Sequence, residues 1–147
     1  MGKCSGHVRL QEAQGVAKAH ALALNVHHAA ARIRGPTYRS LRSQLVRSAS
    51  SIPANIVEGR SKETEADFAR FLGYSVASTA ELEYHLLVAR DMGAITQATF
   101  LAPLSQTIEV RKMLHGLINT LDGEMIAGAG ARSFTESPGS GVRMQFS

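Results

Sequence analysis

Apolar residues recur at intervals of three and four along most of this chain, which is the period of an amphipathic α-helix. The pattern marks four segments: 7–33, 38–58, 64–93 and 96–127. Alanine and other small residues dominate the inward positions of the first segment, so that a neighbour can approach closely. Four helices joined by short connections predict an all-α fold, an antiparallel up-down-up-down four-helix bundle.

Local signals support these boundaries. The first segment ends at Gly35 and Pro36, a glycine cap followed by a proline stop. The third opens at Thr64, which has Asp67 three residues later, the spacing of an acidic capping box. Within the fourth segment, Pro103 removes a backbone donor, so we expect either a kink or a helix that begins there.

The periodicity stops after Ala127. Residues 128–147 are rich in glycine and serine and show no helical repeat. The sequence therefore predicts one domain, a bundle over residues 1–127, followed by a flexible tail over residues 128–147.

Composition narrows the class of protein. The chain is 44% hydrophobic but only 5% aromatic, with no tryptophan, which favours packed helices over a sheet. Cys4 is the sole cysteine, so an intrachain disulfide is excluded. The longest uncharged run, 92–108, contains Gly93 and Pro103, so it is not a membrane span. We expect a soluble cytoplasmic protein that does not enter a membrane.

The net charge of +4 is distributed unevenly. Residues 1–62 contain ten Lys and Arg against two acids, whereas residues 63–147 contain six against ten. Two interpretations remain open. The first half of the chain forms a basic surface for a polyanion, or basic and acidic helices face each other within or between subunits.

The stretch SASSIPANIVEGRS, residues 48–61, is unusual for a helix interior. Pro53 leaves the carbonyl of Ala49 without its usual partner, a cost of about 3 kcal/mol in an ordinary helix. Nearby serines can bond freed backbone groups. A helix keeps such a stretch when the bend serves packing, or when Asn55 and Glu58 meet partners at an interface.

This stretch and the segments after it resemble the four-helix-bundle proteins named for the intervening sequences of 23S ribosomal RNA. The resemblance covers residues 38–95 well, the first and fourth helices loosely, and the tail not at all. Ser48 and Ala77 depart from the family pattern, which commonly has alanine and glycine there. The matching residues are Gln44, Leu45, Arg47, Ala49, Ser51, Ile52, Asn55, Ile56, Glu58, Gly59, then Phe68, Phe71, Leu72, then Ser78, Glu81, Leu82 and Glu83.

The resemblance implies a small antiparallel bundle that often assembles into a ring-shaped homopentamer, without catalytic activity. A distantly similar protein, the accessory protein of diversity-generating retroelements, is a pentameric bundle that works with a reverse transcriptase and binds nucleic acid. For the motif residues, the resemblance favours a role in bundle packing and subunit contacts over direct ligand contact. These residues are Gln44, Ser51, Ile52, Pro53, Asn55, Glu58, Gly59, Ser78, Glu81 and Glu83.

Basic residues in and around the second helix are the candidate nucleic-acid contacts. If they cluster in space, they form a phosphate-binding patch with salt-dependent affinity. Alternatively each is a solvated surface charge or pairs with acids of the third helix. Tyr38 is the only aromatic residue among them, so base stacking has little support. The candidates are Arg32, Arg34, Arg39, Arg42, Arg47, Arg60 and Lys62.

Catalytic and metal motifs are missing from the sequence. It contains no Walker loop, no dinucleotide-binding fingerprint and no glutamate followed three residues later by a histidine, the motif of di-iron bundles. We therefore predict a non-enzymatic protein without cofactor or metal, an oligomeric scaffold that binds an RNA or DNA backbone through its first two helices. The alternative is a protein–protein adaptor, accessory to a reverse transcriptase or a ribosome-associated partner.

Overall fold

Four α-helices account for nearly all of the part of the chain that the structure, a computed structural model, describes: the backbone of residues 5–135 and the side chains of residues 5–130. The helices are α1 (Gly6–Ala31), α2 (Arg39–Arg60), α3 (Glu65–Asp91) and α4 (Gln97–Thr135). A 3₁₀ turn, Pro36–Tyr38, lies between α1 and α2, and no strand occurs in the described residues. The prediction of an all-α four-helix bundle is confirmed.

Each helix packs against the helices before and after it, and α1 also packs against α4. As a result α1 and α3 lie on one diagonal of the bundle, and α2 and α4 on the other. Neighbours are antiparallel, so α1 and α3 run in the same direction. The core contains leucines from all four helices, two isoleucines of α2 and several alanines, most of them from α1, and its largest fully buried members include Leu22, Leu45, Ile52, Leu72, Leu82, Leu114 and Leu121.

Side-chain caps fix where the helices begin. The Thr64 hydroxyl accepts a hydrogen bond of 3.1 Å from the amide of Asp67, as the capping-box spacing predicts. The Thr96 hydroxyl accepts one of 3.1 Å from the amide of Thr99 at the start of α4. Between α3 and α4, Gly93 adopts a φ of 76°, a left-handed conformation that suits glycine and turns the chain back.

Pro53 is accommodated inside α2, which continues unbroken to Arg60. The neighbouring serines do not reach the carbonyl of Ala49. Instead Ser48 donates to the carbonyl of Gln44 at 2.7 Å, and Ser51 donates to that of Arg47 at 2.8 Å. Each hydroxyl thus bonds one turn earlier in its own helix, a geometry that often accompanies helix bending.

Close contact between α2 and α3 depends on Gly59, the last buried residue of α2. A Cβ at this position would lie 2.7 Å from the Cβ of Phe71 and 3.0 Å from Cδ2 of Phe68. Such distances are too short for carbon atoms, so only glycine fits without displacement of α3. This contact explains the glycine that ends the motif stretch.

The last helix is longer than the sequence predicts at its C-terminal end. It begins at Gln97 and passes through the buried Pro103, so the expectation of a helix that begins at that proline is wrong. It continues to Thr135, whereas the predicted bundle ended at Ala127; its last fully buried large residue is Leu121. Residues 136–147 of the predicted tail, and Cys4, lie outside the described residues.

Candidate nucleic-acid interface

Charge separates between the two ends of the bundle. One end, called here the basic end, comprises residues 31–42 and 90–96, which contain five arginines and a single acid, Asp91. The opposite end comprises residues 6–12, 58–70 and 122–124, with seven carboxylates and four cations. Charge therefore differs between the two ends of the bundle, and this difference does not follow the division between residues 1–62 and 63–147, because Arg9, Arg60 and Lys62 lie at the end rich in carboxylates.

Three arginines of the basic end are available to a partner. Arg32 follows α1, Arg34 lies in the connection to α2, and Arg39 begins α2; all three are exposed. Within residues 5–130, none of these side chains forms a hydrogen bond or an ion pair. Arg39 also lies at a helix N-terminus, where the macrodipole adds a further partial positive charge. These three side chains form the exposed part of the candidate interface.

Arg42, a fourth arginine of this end, stabilises the connection between α1 and α2. One terminal nitrogen of Arg42 donates to the carbonyl oxygens of Ile33 and Gly35, at 3.0 and 2.8 Å. These bonds hold the α1–α2 connection against the first turn of α2. Arg42 therefore positions the loop that carries Arg34, and its guanidinium is already partly occupied.

The remaining predicted contacts lie away from the basic end and have partners of their own. Arg47 lies 3.5 Å from Glu81, and Arg60 lies 2.9 Å from the buried Glu12. Lys62 lies over the ring of Phe71, 4.8 Å from its centre. Twenty-one residues of helix separate Arg39 from Arg60, about 30 Å. The seven predicted residues therefore do not form one patch.

Ion pairs between neighbouring helices compensate some of the positive charges of residues 1–62. The Lys18 ammonium of α1 bonds to the Glu109 carboxylate of α4, and Arg47 of α2 faces Glu81 of α3. Basic residues thus pair with acidic ones of a neighbouring helix, as the second interpretation of the charge pattern expects, whereas Arg32, Arg34 and Arg39 at the basic end have no partner among the described side chains.

The polar motif residues make contacts within the chain. Gln44 accepts from Arg47 at 3.0 Å, and Asn55 donates to the carbonyl of Ser51 at 2.8 Å. Glu83 accepts from Arg111 of α4 at 2.5 Å. Ile52, Gly59 and Ser78 are buried, whereas Pro53 is half-buried and Glu58 exposed. The packing role that the family resemblance implies for Ile52 and Gly59 agrees with their positions.

Sequence reasoning missed Arg90, the fifth arginine of the basic end. Its guanidinium lies over the ring of Phe100, 4.5 Å from the ring centre, and its Nε donates to Asp91 at 3.0 Å. In an up-down bundle the end of α3 lies beside the start of α2, so the predicted topology could have identified Arg90 as a member of the basic end. A cavity of about 440 Å³ between α3 and α4 includes Arg90, Phe100 and Leu104 in its lining.

Aromatic surface is scarce at the basic end. The hydroxyl of Tyr38 donates to the carbonyl of Met92 at 3.2 Å, which joins the two connections at this end. Next to Arg32, a groove of about 280 Å³ between α1 and α4 is lined by His28, Thr99 and Gln106 among others. The side chains at this end offer cations and hydrogen-bonding groups rather than stacking platforms.

Histidine and carboxylate side chains are dispersed over the described part of the bundle. In residues 5–130, no three His, Cys, Asp or Glu side chains are grouped closely enough to hold a metal ion. His85 lies 3.6 Å from Glu81 and the other histidines of the helices are exposed. None of the described helices is long and apolar enough to cross a membrane.

The fold and much of the sequence of this chain are similar to those of known proteins. A crystal structure of a protein of unknown function from the S23 ribosomal protein family of Bacteroides thetaiotaomicron superposes with a TM-score of 0.70 at 23% identity, over 74% of this chain and 98% of the other. No curated protein matches the chain. The family model for the 23S rRNA-intervening sequence protein matches residues 11–116. Because that match covers most of the bundle, the chain belongs to the 23S rRNA-intervening sequence protein family.

Proposed function

We propose that this chain is a non-enzymatic, self-associating scaffold that binds the phosphate backbone of RNA or DNA through Arg32, Arg34 and Arg39. The observation that carries the proposal is the exposure of these three arginines at one end, without partners among the described side chains. Guanidinium groups suit phosphate because their donors form two parallel hydrogen bonds with its oxygens.

Three phosphate contacts give only weak affinity for a single copy. Each cation that neutralises a phosphate releases condensed counterions, so affinity falls steeply with salt. Several copies on one nucleic acid raise the effective concentration of each further contact. Self-association therefore converts a weak contact into useful avidity, and the homopentamer implied by the family resemblance remains a prediction.

The interface favours backbone over base recognition. Tyr38 already uses its hydroxyl in a bond to the carbonyl of Met92, and the exposed side chains at the basic end, which include the arginines and Met92, contain no aromatic ring. Phosphate contacts position a protein but carry no sequence information. We expect binding to structured RNA and duplex DNA with little dependence on base sequence.

Fluorescence anisotropy with a labelled RNA hairpin and a labelled DNA duplex, over a salt series, tests the proposal. We expect binding at low salt that weakens steeply as salt rises. The double variant R34A/R39A should weaken binding to the RNA and to the DNA. It should also reduce the slope of log affinity against log salt concentration by about two for each bound chain, roughly one per lost phosphate contact. Lys112→Ala, which removes an exposed cation midway along α4, serves as the matched control and should change little.

Absence of binding at low salt would overturn the proposal and favour the alternative, a protein–protein adaptor whose basic end meets an acidic partner. Equal loss in the Lys112→Ala control would show a non-specific charge effect. Self-association is measured separately, by light scattering on the wild-type protein. A pentamer has five times the 15.7 kDa chain mass, and a monomer at micromolar concentration would contradict self-association.

A further inference from the structure

The groove between α1 and α4 opens beside Arg32 of the basic end. It exists because the small side chains of Ala29 in α1 and Ala102 in α4 leave space between the two helices. Its volume of about 280 Å³ lies just below the range of drug-sized ligand sites, so it suits a group the size of one nucleobase with its sugar. Most of its other lining side chains are polar.

Two amide side chains form a hydrogen bond across the groove. Nδ2 of Asn25 in α1 donates to Oε1 of Gln106 in α4 at 3.1 Å. The other amide atoms of this pair, Oδ1 of Asn25 and Nε2 of Gln106, make no hydrogen bond with the described residues. They offer one acceptor and one donor side by side. If both amides are turned over, the donor and the acceptor exchange places, so the pair offers the same two functions in either orientation.

Arg32 lies at the far end of the groove from this pair. It follows Asn25 by seven residues, which is about 10 Å along the helix axis. His28 lies between them at spacings of three and four residues, so the three side chains follow one face of α1. All three are exposed, and neither Arg32 nor His28 has a partner among the described side chains. This face therefore carries, in order, a cation, a polar ring and a hydrogen-bonding amide pair.

A single nucleotide carries complementary groups in the same order. Its phosphate matches the guanidinium, its sugar oxygens match the imidazole, and the far edge of its base matches the amide pair. The Watson–Crick edge of each of the four bases has a donor next to an acceptor, which the amide pair complements. That edge is free only when the base is unpaired, as in the loops and bulges where proteins contact it. A duplex offers its phosphates but not this edge.

We propose that the α1–α4 groove binds one unpaired nucleotide of the nucleic acid, with its phosphate on Arg32 and the Watson–Crick edge of its base on Asn25 and Gln106. This inference rests on the proposed function and deepens it. Paired and unpaired strands both offer phosphates to the arginines, and the groove adds a preference for unpaired nucleotides. Because every base has a donor beside an acceptor, the preference does not depend on which base is present.

The test compares two labelled RNAs with the same number of phosphates, a blunt duplex without unpaired nucleotides and a hairpin with an unpaired loop. Fluorescence anisotropy at one low salt concentration measures both affinities. The wild type should bind the hairpin about tenfold more tightly than the duplex, the factor that about two net hydrogen bonds provide. The double variant Asn25→Ala/Gln106→Ala should lose this preference and keep the affinity for the duplex.

A second variant and a matched control accompany it. Ala102→Phe places a large side chain in the groove at an exposed position and keeps both amides, so it should also abolish the preference. The control Gln14→Ala/Asn119→Ala removes one exposed amide from α1 and one from α4, both outside the groove, and should keep the preference. Circular dichroism should show the helicity of the wild type in all three variants.

The outcomes separate this inference from the proposed function. Equal wild-type affinity for the two RNAs, or an unchanged preference in both groove variants, would overturn the groove site. The proposed function would still stand if R34A/R39A weakens binding to both RNAs. Displacement of the hairpin by an equal concentration of adenosine monophosphate would show a site for a free nucleotide instead of a strand. Absence of binding to either RNA would overturn both proposals.

Discussion

The hydroxyl of Ser75 in α3 donates a buried hydrogen bond of 2.8 Å to the main-chain carbonyl of Ile52 in α2, one residue before Pro53. Both residues are completely buried, and the bond joins two helices where one of them has lost a backbone donor. A hydroxyl of α3 therefore reinforces the contact between α2 and α3 next to the proline.

Ser75→Ala should lower the free energy of unfolding by about 1 kcal/mol, because it removes this buried bond while the helix keeps its length and packing. Urea denaturation at fixed protein concentration measures the effect. Ser50→Ala, an exposed serine of α2, is the control and should cause no loss, since alanine is the better helix former. Equal stability of Ser75→Ala and the wild type would show that the bond contributes nothing net.

Gly59→Ala and Gly116→Ala should change stability in opposite directions. A Cβ at position 59 would lie 2.7 Å from the Cβ of Phe71, so we expect a loss of about 1–3 kcal/mol despite the better helix propensity of alanine. A Cβ at position 116 meets nothing within 4 Å in the middle of α4, so this variant should gain about 0.5–1 kcal/mol. Thermal melts of both variants check the prediction; two gains would show that α3 moves aside.

Removal of Arg60 should cost more than removal of a surface ion pair. The side chain of Glu12 is only 7% exposed and pairs with Arg60 at 2.9 Å, so Arg60→Ala leaves a buried carboxylate without its cation. We expect a loss of about 1–3 kcal/mol. Lys18→Ala breaks an ion pair in which both side chains are half exposed, and it should cost at most about 1 kcal/mol.

The double variant Glu12→Gln/Arg60→Ala completes the test, because a neutral amide is cheaper to bury than an unpaired carboxylate. It should be more stable than Arg60→Ala alone. Similar stability of the single and double variants would show that water reaches Glu12 when the arginine is absent, and that burial of the charge is not the source of the cost.

Arg42→Ala should lower stability, unlike Arg39→Ala. The Arg42 guanidinium holds the carbonyls of Ile33 and Gly35, so its removal frees the α1–α2 connection and should cost about 1–2 kcal/mol. Arg39 has no intramolecular partner among the described side chains, so its removal should lower nucleic-acid affinity without loss of stability, since a cation at a helix N-terminus is itself slightly unfavourable. A change in affinity for Arg42→Ala without any change in thermal stability would make it a direct phosphate contact instead.

Periodicity and caps predicted the four helices and their order, although α4 continues past the predicted end at Ala127 to Thr135. Thr64 and Thr96 mark helix starts that the structure confirms, because a side-chain cap is a local interaction between residues three apart. The reason for Gly59 could not be read from the sequence alone. It depends on the distance to Phe71, which only the packing of α2 against α3 determines.

The candidate interface was predicted less well than the fold. The sequence shows how many arginines lie in and near α2. It does not show directly how far apart they are, because the length of α2 places Arg39 and Arg60 at its opposite ends. The sequence does not distinguish Arg42 from Arg47, yet Arg42 binds carbonyls of the α1–α2 connection and Arg47 lies close to Glu81. Which cations remain free is decided by contacts between helices, and sequence patterns do not resolve these.

Separation of charge between the ends gives the molecule an electric dipole moment along its helix axes. The field of a polyanion exerts a torque on such a dipole before contact, so the basic end turns forward during the approach. That field extends about 30 Å at 0.01 M salt but only about 8 Å at 0.15 M. Ionic strength should therefore change the association rate constant, as well as the affinity.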